Sequence, residues 1–159
     1  MIAASSGGEK LAVTLEAGAS ATVDYSGPDF RDLLKAVAPN GIDVVLDPVG
    51  GLYAEPALRS LRIGGRFVTV GYASGDIPSI PLNLVLLKGI SIRGFEFRTF
   101  MAARPDEFAR NNAELAELMS SGRLRPRIDR SYPLSETPAA MRSIAERRAV
   151  GKVLIDVRK

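Results

Sequence analysis

The sequence predicts an α/β fold of the doubly wound kind, a mostly parallel sheet lying between helices. Three observations predict it. Short β-type runs alternate with helical patterns along most of the chain, and glycine or proline signals separate consecutive elements. The runs Val44-Val45-Leu46 and Phe67-Val68-Thr69-Val70 are apolar on both faces, or nearly so. Strands of that kind mark a sheet covered by helices on both sides.

Each element has its own signal. Residues 2–4 form the first strand. Ser6-Gly7-Gly8-Glu9 has the spacing of a capping box, opening a helix with Leu11 and Leu15 on one face and Gly18 as its stop. Residues 22–25 give the second strand. Pro28 suits the first position of a helix that carries Phe30, Leu33, Leu34 and Val37 at helical spacing. Residues 42–47 form a third strand, 54–61 a short helix closed by the turn pair Gly64-Gly65, and 66–72 a fourth strand. Beyond Tyr72 the rhythm changes. Gly75, Pro78 and Pro81 read as a loop, and Leu82, Leu84, Val85, Leu86 and Leu87 as a short buried helix over the sheet's carboxyl edge.

Residues 90–95 form a fifth strand. There the alternation Ile90, Ile92, Gly94 slips to Phe95 and Phe97, which predicts a bulge at Gly94. Residues 105–121 make the longest helix, with Phe108, Leu115, Leu118 and Met119 inward and Gly122 at its end. Thr137-Pro138 caps and opens a last helix carrying Met141 and Ile144, and residues 152–157 alternate as a closing strand.

Composition narrows the function. The chain has 159 residues, 46% hydrophobic and 25% charged, which is ordinary for a globular domain with one core. It contains no His and no Cys. A Ser-His-Asp triad, a thiol nucleophile, a zinc ribbon, an iron–sulfur centre and a disulfide framework are therefore excluded within it. No apolar run approaches the ~20 residues of a membrane-spanning helix, and no secretory signal pattern is present, so a cytoplasmic protein without a membrane partner is expected. Net charge is +3, but residues 1–50 carry −4 and the remainder +7. Arg123, Arg125, Arg127 and Arg130 form the densest basic run. No aromatics lie between them, so a solvated or subunit-facing segment is expected rather than a nucleic-acid surface.

In open parallel sheets ligands bind beyond the carboxyl ends of the strands. Here those ends are Ala4-Ser5-Ser6, Asp24-Tyr25, Asp47-Pro48-Val49-Gly50-Gly51, Gly71-Tyr72-Ala73 and Phe95-Glu96-Phe97. Glycines let a ligand approach the backbone, and aromatic rings can cover a flat one, which suits a nucleotide. A site that selects NAD places a carboxylate where this chain has Ser5-Ser6, with Lys10 one helical turn on. Hydroxyls and an ammonium favour a 2′-phosphate there; a plain helix cap at Ser6 and a solvated Lys10 fit the same residues equally well.

A longer series of segments carries a resemblance. Ile2-Ala3-Ala4-Ser5-Ser6, Val44-Val45-Leu46-Asp47-Pro48-Val49-Gly50-Gly51 and Gly64-Gly65-Arg66-Phe67-Val68-Thr69-Val70-Gly71 are followed by Ile80-Pro81-Leu82-Asn83-Leu84, Gly122-Arg123-Leu124-Arg125-Pro126, Tyr132-Pro133-Leu134 and Arg148-Ala149-Val150-Gly151-Lys152. In that order they resemble the C-terminal, cofactor-binding portion of the zinc-independent medium-chain dehydrogenases/reductases of the NADPH:quinone oxidoreductase type.

The resemblance implies a Rossmann-like sheet truncated at its N-terminal strand. It implies residues 1–130 as a partial dinucleotide-binding domain and 131–159 as a helix and strand returning to a substrate-side domain. It implies NADPH as cofactor, with Ser5, Ser6, Lys10 and Tyr25 around the adenosine 2′-phosphate and Arg148 near the same cofactor. Asp47, Val49, Gly71, Tyr72 and Ala73 would line the nicotinamide and its ribose, with Phe95 and Phe97 close by. A quinone or enone-like substrate is implied, and a homodimer through the edge strand at residues 90–95. No catalytic side chain and no metal ligand is assigned within the chain. The family's first strand and glycine-rich phosphate turn have no counterpart, so a strand order of 3-2-1-4-5-6 predicts a hole in the sheet. Either residues 2–4 pair directly with the Asp47 strand, another chain fills the hole, or the sequence is a fragment, the reading expected here. The competing function is a non-catalytic domain that only dimerises or binds nucleotide; another α/β nucleotide protein, such as a methyltransferase, is a weaker competitor.

Overall fold

A computed structural model describes residues 1–158. Met1–Pro105 and Asp106–Lys159 are two compact units, taken here one at a time.

The first unit alternates strand and helix as expected. β1 (Ile2–Ser5), α1 (Gly8–Glu16), β2 (Ala21–Asp24), α2 (Phe30–Val37), β3 (Ile42–Asp47), α3 (Ala54–Arg59), β4 (Leu61–Thr69), α4 (Leu82–Lys88), β5 (Ser91–Gly94) and α5 (Phe97–Ala103) follow one another. β1 pairs β2, and β3-β4-β5 form a second sheet; every pairing is parallel. Thus β1 does not pair with β3, and the hole predicted in the sheet is present. Val44 and Leu46, expected to be covered, share one face of β3 and are 44% and 66% exposed.

The core has two centres. Leu58 and Leu61 are fully buried and pack with Ala54, Phe67, Leu84 and Ile90; Val23, Phe30 and Leu34 form the other cluster. Burying one such leucine contributes about 1.5–3 kcal/mol. Ile42 and Ala57 touch both clusters and join them.

Several local expectations change. Gly7, not Ser6, stands at the N-cap of α1, which therefore has no side chain of its own to cap the helix. Asp29 precedes α2, which leaves Pro28 in the turn. β4 begins at Leu61, so Gly64-Gly65 does not close α3 but makes a bulge inside the strand: Ile42 pairs Leu61 while Val44 pairs Arg66. A Cβ on Gly65 would stand 3.0 Å from the Arg62 carbonyl, so the chain doubles back tightly there. No bulge occurs at Gly94, where β5 simply ends in register with Thr69. The next residues turn into α5, unforeseen in the sequence, because both Glu96 carboxylate oxygens accept from its first amides, Arg98 N–H at 3.1 Å and Thr99 N–H at 2.7 Å. α4 does not lie over the carboxyl edge. The Lys88 ammonium at its end donates to the carbonyls of Arg59 and Leu61, the start of β4, and only Leu84 is buried. Burial pulls the Lys88 ammonium below its usual range, aided by Arg59 and Arg31 nearby.

The second unit holds α6 from Asp106 on (Pro105–Ser120), β6 (Ile128–Pro133), α7 (Thr137–Ala145) and β7 (Lys152–Asp156). β6, missed in the sequence, pairs β7 in parallel. The inward faces expected of α6 and α7 are covered only in part: Phe108 and Leu118 are half-buried, whereas Leu115, Met119, Met141 and Ile144 are about half exposed or more. The buried apolar residues of this unit are Tyr132, Ala140 and Val150. The arginine run is solvated: Arg125 bonds the Gly122 carbonyl, Arg127 the Val150 carbonyl, and Arg130 stacks over Tyr132. Among the described residues no helix is long and apolar enough to cross a membrane.

Candidate functional site

The carboxyl ends of β1, β3 and β4 share one chemical peculiarity. Three buried side-chain oxygens lack any hydrogen-bond partner: Ser5 Oγ, Asp47 Oδ2 and Thr69 Oγ1. Each belongs to the last residue of its strand. Buried polar atoms are nearly always satisfied, so three orphans at the carboxyl ends of three parallel strands mark places where something else is meant to bond.

Asp47 is 7% exposed and organises the turn beyond it. Its Oδ1 accepts from the N–H of Val49 at 2.8 Å and of Gly50 at 3.0 Å. Gly50 and Gly51 follow with φ of 68° and 59°, the left-handed conformation glycine tolerates. The loop after β4 clasps this turn. Ala73 N–H donates to the Pro48 carbonyl, Ser74 N–H to that of Val49, and Gly51 N–H to that of Asp76, all at 3.0 Å. Tyr72 lies against Gly50, where a Cβ would meet its ring at 2.7 Å. Residues 47–51 and 71–76 are therefore one rigid lip.

Two clefts open beside the lip. One, of about 830 Å³, runs between β1 and β3 and is lined by Tyr25, Asp47, Val49 and Tyr53 at its carboxyl end. The Tyr25 and Tyr53 rings stand 4.7 Å apart. The other, of about 650 Å³, lies between β4 and α5, lined by Thr69, Gly71, Tyr72, Phe95 and Phe100. Phe95 N–H donates to the Thr69 carbonyl, and its ring packs 5.4 Å from Phe100.

Of the residues singled out in the sequence, Tyr25, Asp47 and Val49 share the first cleft, and Gly71, Tyr72 and Phe95 the second. Ser5 ends β1, Ser6 follows it, and Lys10 stands in the first turn of α1. Ala73 belongs to the lip without lining either cleft. Phe97 opens α5, 54% exposed. Arg148 lies in the second unit, paired with Glu146 at 2.7 Å.

The sequence places Asp24 and Glu96 at strand ends but gives them no role, and it gives none to Thr69 or Phe100. The Asp24 carboxylate accepts from Ser26 N–H at 2.8 Å and from the Ser26 hydroxyl, and those bonds with one from Gly7 N–H hold its pKa below the ordinary range. A carboxylate thus already faces the start of α1. Glu96, bonded by Thr99 and Arg98, is held down to about 2. Zinc does not fit this chain. There is no His or Cys, and among the described residues no group of three or more possible ligands could hold a metal ion.

The pattern of the zinc-binding dehydrogenase family matches residues 17–155. "Quinone oxidoreductase-like protein 2" of Bos taurus is 35% identical over 159 residues, 99% of this chain and 46% of that protein. A mycobacterial protein solved in complex with NADPH superposes with a TM-score of 0.84 at 25% identity, covering 97% of this chain and 48% of that one. An NAD-dependent alcohol dehydrogenase does so at 0.79 and 28%, covering 98% and 43%. The chain spans about half the length of the proteins it matches.

Proposed function

The chain belongs to the zinc-binding dehydrogenase family, and from that premise we propose that it is the cofactor-binding portion of an NADPH-dependent oxidoreductase, working without zinc on a quinone or another activated C=C or C=O acceptor. The observation that carries this reading is the set of partnerless oxygens on Ser5, Asp47 and Thr69, each at the carboxyl end of its strand. A dinucleotide presents hydroxyls and phosphate oxygens in a row, and a sheet's carboxyl edge is where one lies.

In this reading Ser5, Ser6 and Lys10 hold the adenosine phosphate, with Tyr25 beside it. Asp47 Oδ2 and Thr69 Oγ1 bond ribose hydroxyls on the rigid lip. Gly71, Tyr72 and Phe95 flank the nicotinamide, with Ala73 and Phe97 near, and Arg148 reaches the same cofactor. When bound, the nicotinamide supplies the hydride; the protein's part is to position it and exclude water, which needs no histidine. We further propose that residues 131–159 return to a substrate-side domain, and that the free edge of β5 pairs with a second copy. Ile92 there is 41% exposed, and Ile92→Lys should leave a monomer in sedimentation velocity if that pairing is right.

Asp24 favours a second reading, NADH in place of NADPH, because a carboxylate facing the start of α1 repels a 2′-phosphate. Titration of the chain with each cofactor, followed by nicotinamide fluorescence, separates the two. NADPH should bind about tenfold more tightly, and Lys10→Ala should abolish that preference. Equal affinities, or tighter NADH, would refute the assignment of Ser5, Ser6 and Lys10.

A further inference from the structure

A hollow of about 610 Å³ opens at the amino ends of β3 and β4, the opposite end of these strands from the orphan oxygens. Five cations line it: Arg31 and Lys35 of α2, Arg59 of α3, Arg62 of β4 and Lys88 of α4. No Asp or Glu is among its described lining residues. Glu55 pairs with Arg59 at 2.8 Å and Asp43 with Arg62, which leaves Arg31, Lys35 and Lys88 without a carboxylate partner among the described residues. Helix dipoles account for part of the cluster. They favour a cation in the last turn, where Lys35, Arg59 and Lys88 stand. They do not account for Arg31, in the first turn of α2, where a cation is disfavoured. Arg31 and Lys35 are also like charges four residues apart on one helix, a pairing that weakens it. Around Lys88 the repulsion is direct: burial and the Arg59 and Arg31 guanidiniums together hold its ammonium below the usual range. An anion seated among these groups would relieve that repulsion.

We propose that this hollow is a second anion site, separate from the cofactor edge, and that it takes the diphosphate group of a small molecule. The donors fit such a group. A guanidinium fork matches phosphate oxygens in pairs, and lysines add compact charge. The Lys88 ammonium gives two of its three N–H groups to the carbonyls of Arg59 and Leu61 and keeps one for a ligand. With Arg59 and Arg62 already paired, the charge left over is that of Arg31, Lys35 and Lys88. An ionised diphosphate monoester carries about three negative charges and balances it, where a carboxylate or a single phosphate falls short. Ala38, Pro39, Leu61 and Ile63 supply apolar wall for the organic part of the ligand, Ile63 being 78% exposed on the bulge of β4. The volume lies within the ~300–1,000 Å³ of ordinary small-molecule sites. From Ile42 to Asp47 the length of β3 is roughly 16 Å, so the hollow and the cofactor edge can be filled together.

The test uses the full chain and inorganic pyrophosphate, titrated by calorimetry at low salt while amide shifts are followed by NMR. Saturable binding is expected, moving the amides of Asn40, Arg62 and Ile63 and weakening as salt is added. Arg31→Gln and Lys35→Gln should each lower the affinity about tenfold, and since both side chains are exposed the remaining amides of α2 should keep their shifts. Arg125→Gln removes the same charge from the densest basic run and should leave the affinity unchanged. Inorganic phosphate should bind about tenfold more weakly than pyrophosphate. Absence of saturable binding overturns the proposal. Shifts confined to Ser5, Lys10 and Val49 do so as well, because they place the anion on the cofactor edge. An equal loss in Arg125→Gln would reduce the effect to net charge, and equal binding of phosphate would remove the choice of a diphosphate.

Discussion

Asp47→Asn and Asp47→Ala remove different things from the turn after β3. The carboxylate's Oδ1 accepts two backbone N–H bonds, from Val49 and Gly50, while Oδ2 has no protein partner. A hydrogen bond to a charged group contributes about 1.5–3 kcal/mol, and a neutral acceptor about half of that. Asparagine keeps an oxygen at the Oδ1 position, so it should cost the turn about 1–2 kcal/mol. Alanine leaves the Gly50 N–H buried without an acceptor, adding its desolvation for a total of about 3–5 kcal/mol. Amide hydrogen exchange at Val49 and Gly50 reads this directly, since about 1.4 kcal/mol is a factor of ten. Exchange should rise about tenfold in Asp47→Asn and about a hundredfold or more in Asp47→Ala. NADPH binding should fall in both, because neither variant offers an acceptor at Oδ2. Exchange no faster in Asp47→Ala than in Asp47→Asn would refute the division of labour between the two oxygens.

Other positions test the fold and its pH response. Glu96 is held at about 2, below its ordinary 4.5; a depressed carboxylate stabilises above the ordinary value, so the cap on α5 should persist above pH 4.5 and be lost as pH falls toward about 2. Amide shifts of Arg98 and Thr99 should follow that window, and Glu96→Gln should erase it. Gly50→Ala must meet both left-handed strain and the Tyr72 ring at 2.7 Å, whereas Gly75→Ala, at φ 91° with nothing within 4 Å, meets strain alone. The first should cost about 2–4 kcal/mol and the second about 1–2 by urea denaturation, and equal costs would show that the lip yields. Leu58→Ala should cost about 3–5 kcal/mol and Leu86→Ala within about 0.5, because the first side chain is fully buried and the second is 81% exposed.

What the sequence disclosed followed from what hydrophobic pattern encodes. β3 was legible to the residue, because Val44-Val45-Leu46 has no other reading between a glycine and Asp47. The carboxyl edges were legible for the same reason, since once strands are placed their ends follow, and Ser5 and Asp47 proved to hold orphan oxygens. Periodicity names a helix face but not what covers it. Leu115 and Met119 on α6, and Met141 and Ile144 on α7, recur at the right spacing and still lie open. β6 escaped notice because Ile128-Asp129-Arg130-Ser131 carries two charges and ends in Pro133, which suits an edge and not a core strand. Thr69 was hidden by its own propensity, because a threonine in a β-run reads as strand filler until its hydroxyl is found without a partner. Glu96 reads as a loop carboxylate; its capping of α5 depends on a backbone turn that no spacing announced.

Every strand in the molecule pairs only with its neighbour in the chain: β1 with β2, β3 with β4, β4 with β5, β6 with β7. Each ladder can then close early and alone, which favours rapid formation over the slow search that distant pairings demand. The same arrangement weakens cooperativity. Among the described residues no ladder ties β1–β2 to β3–β4–β5, so side-chain packing through Ile42 and Ala57 is what couples the two. Calorimetry should find a van't Hoff enthalpy smaller than the calorimetric one, the mark of unfolding in stages.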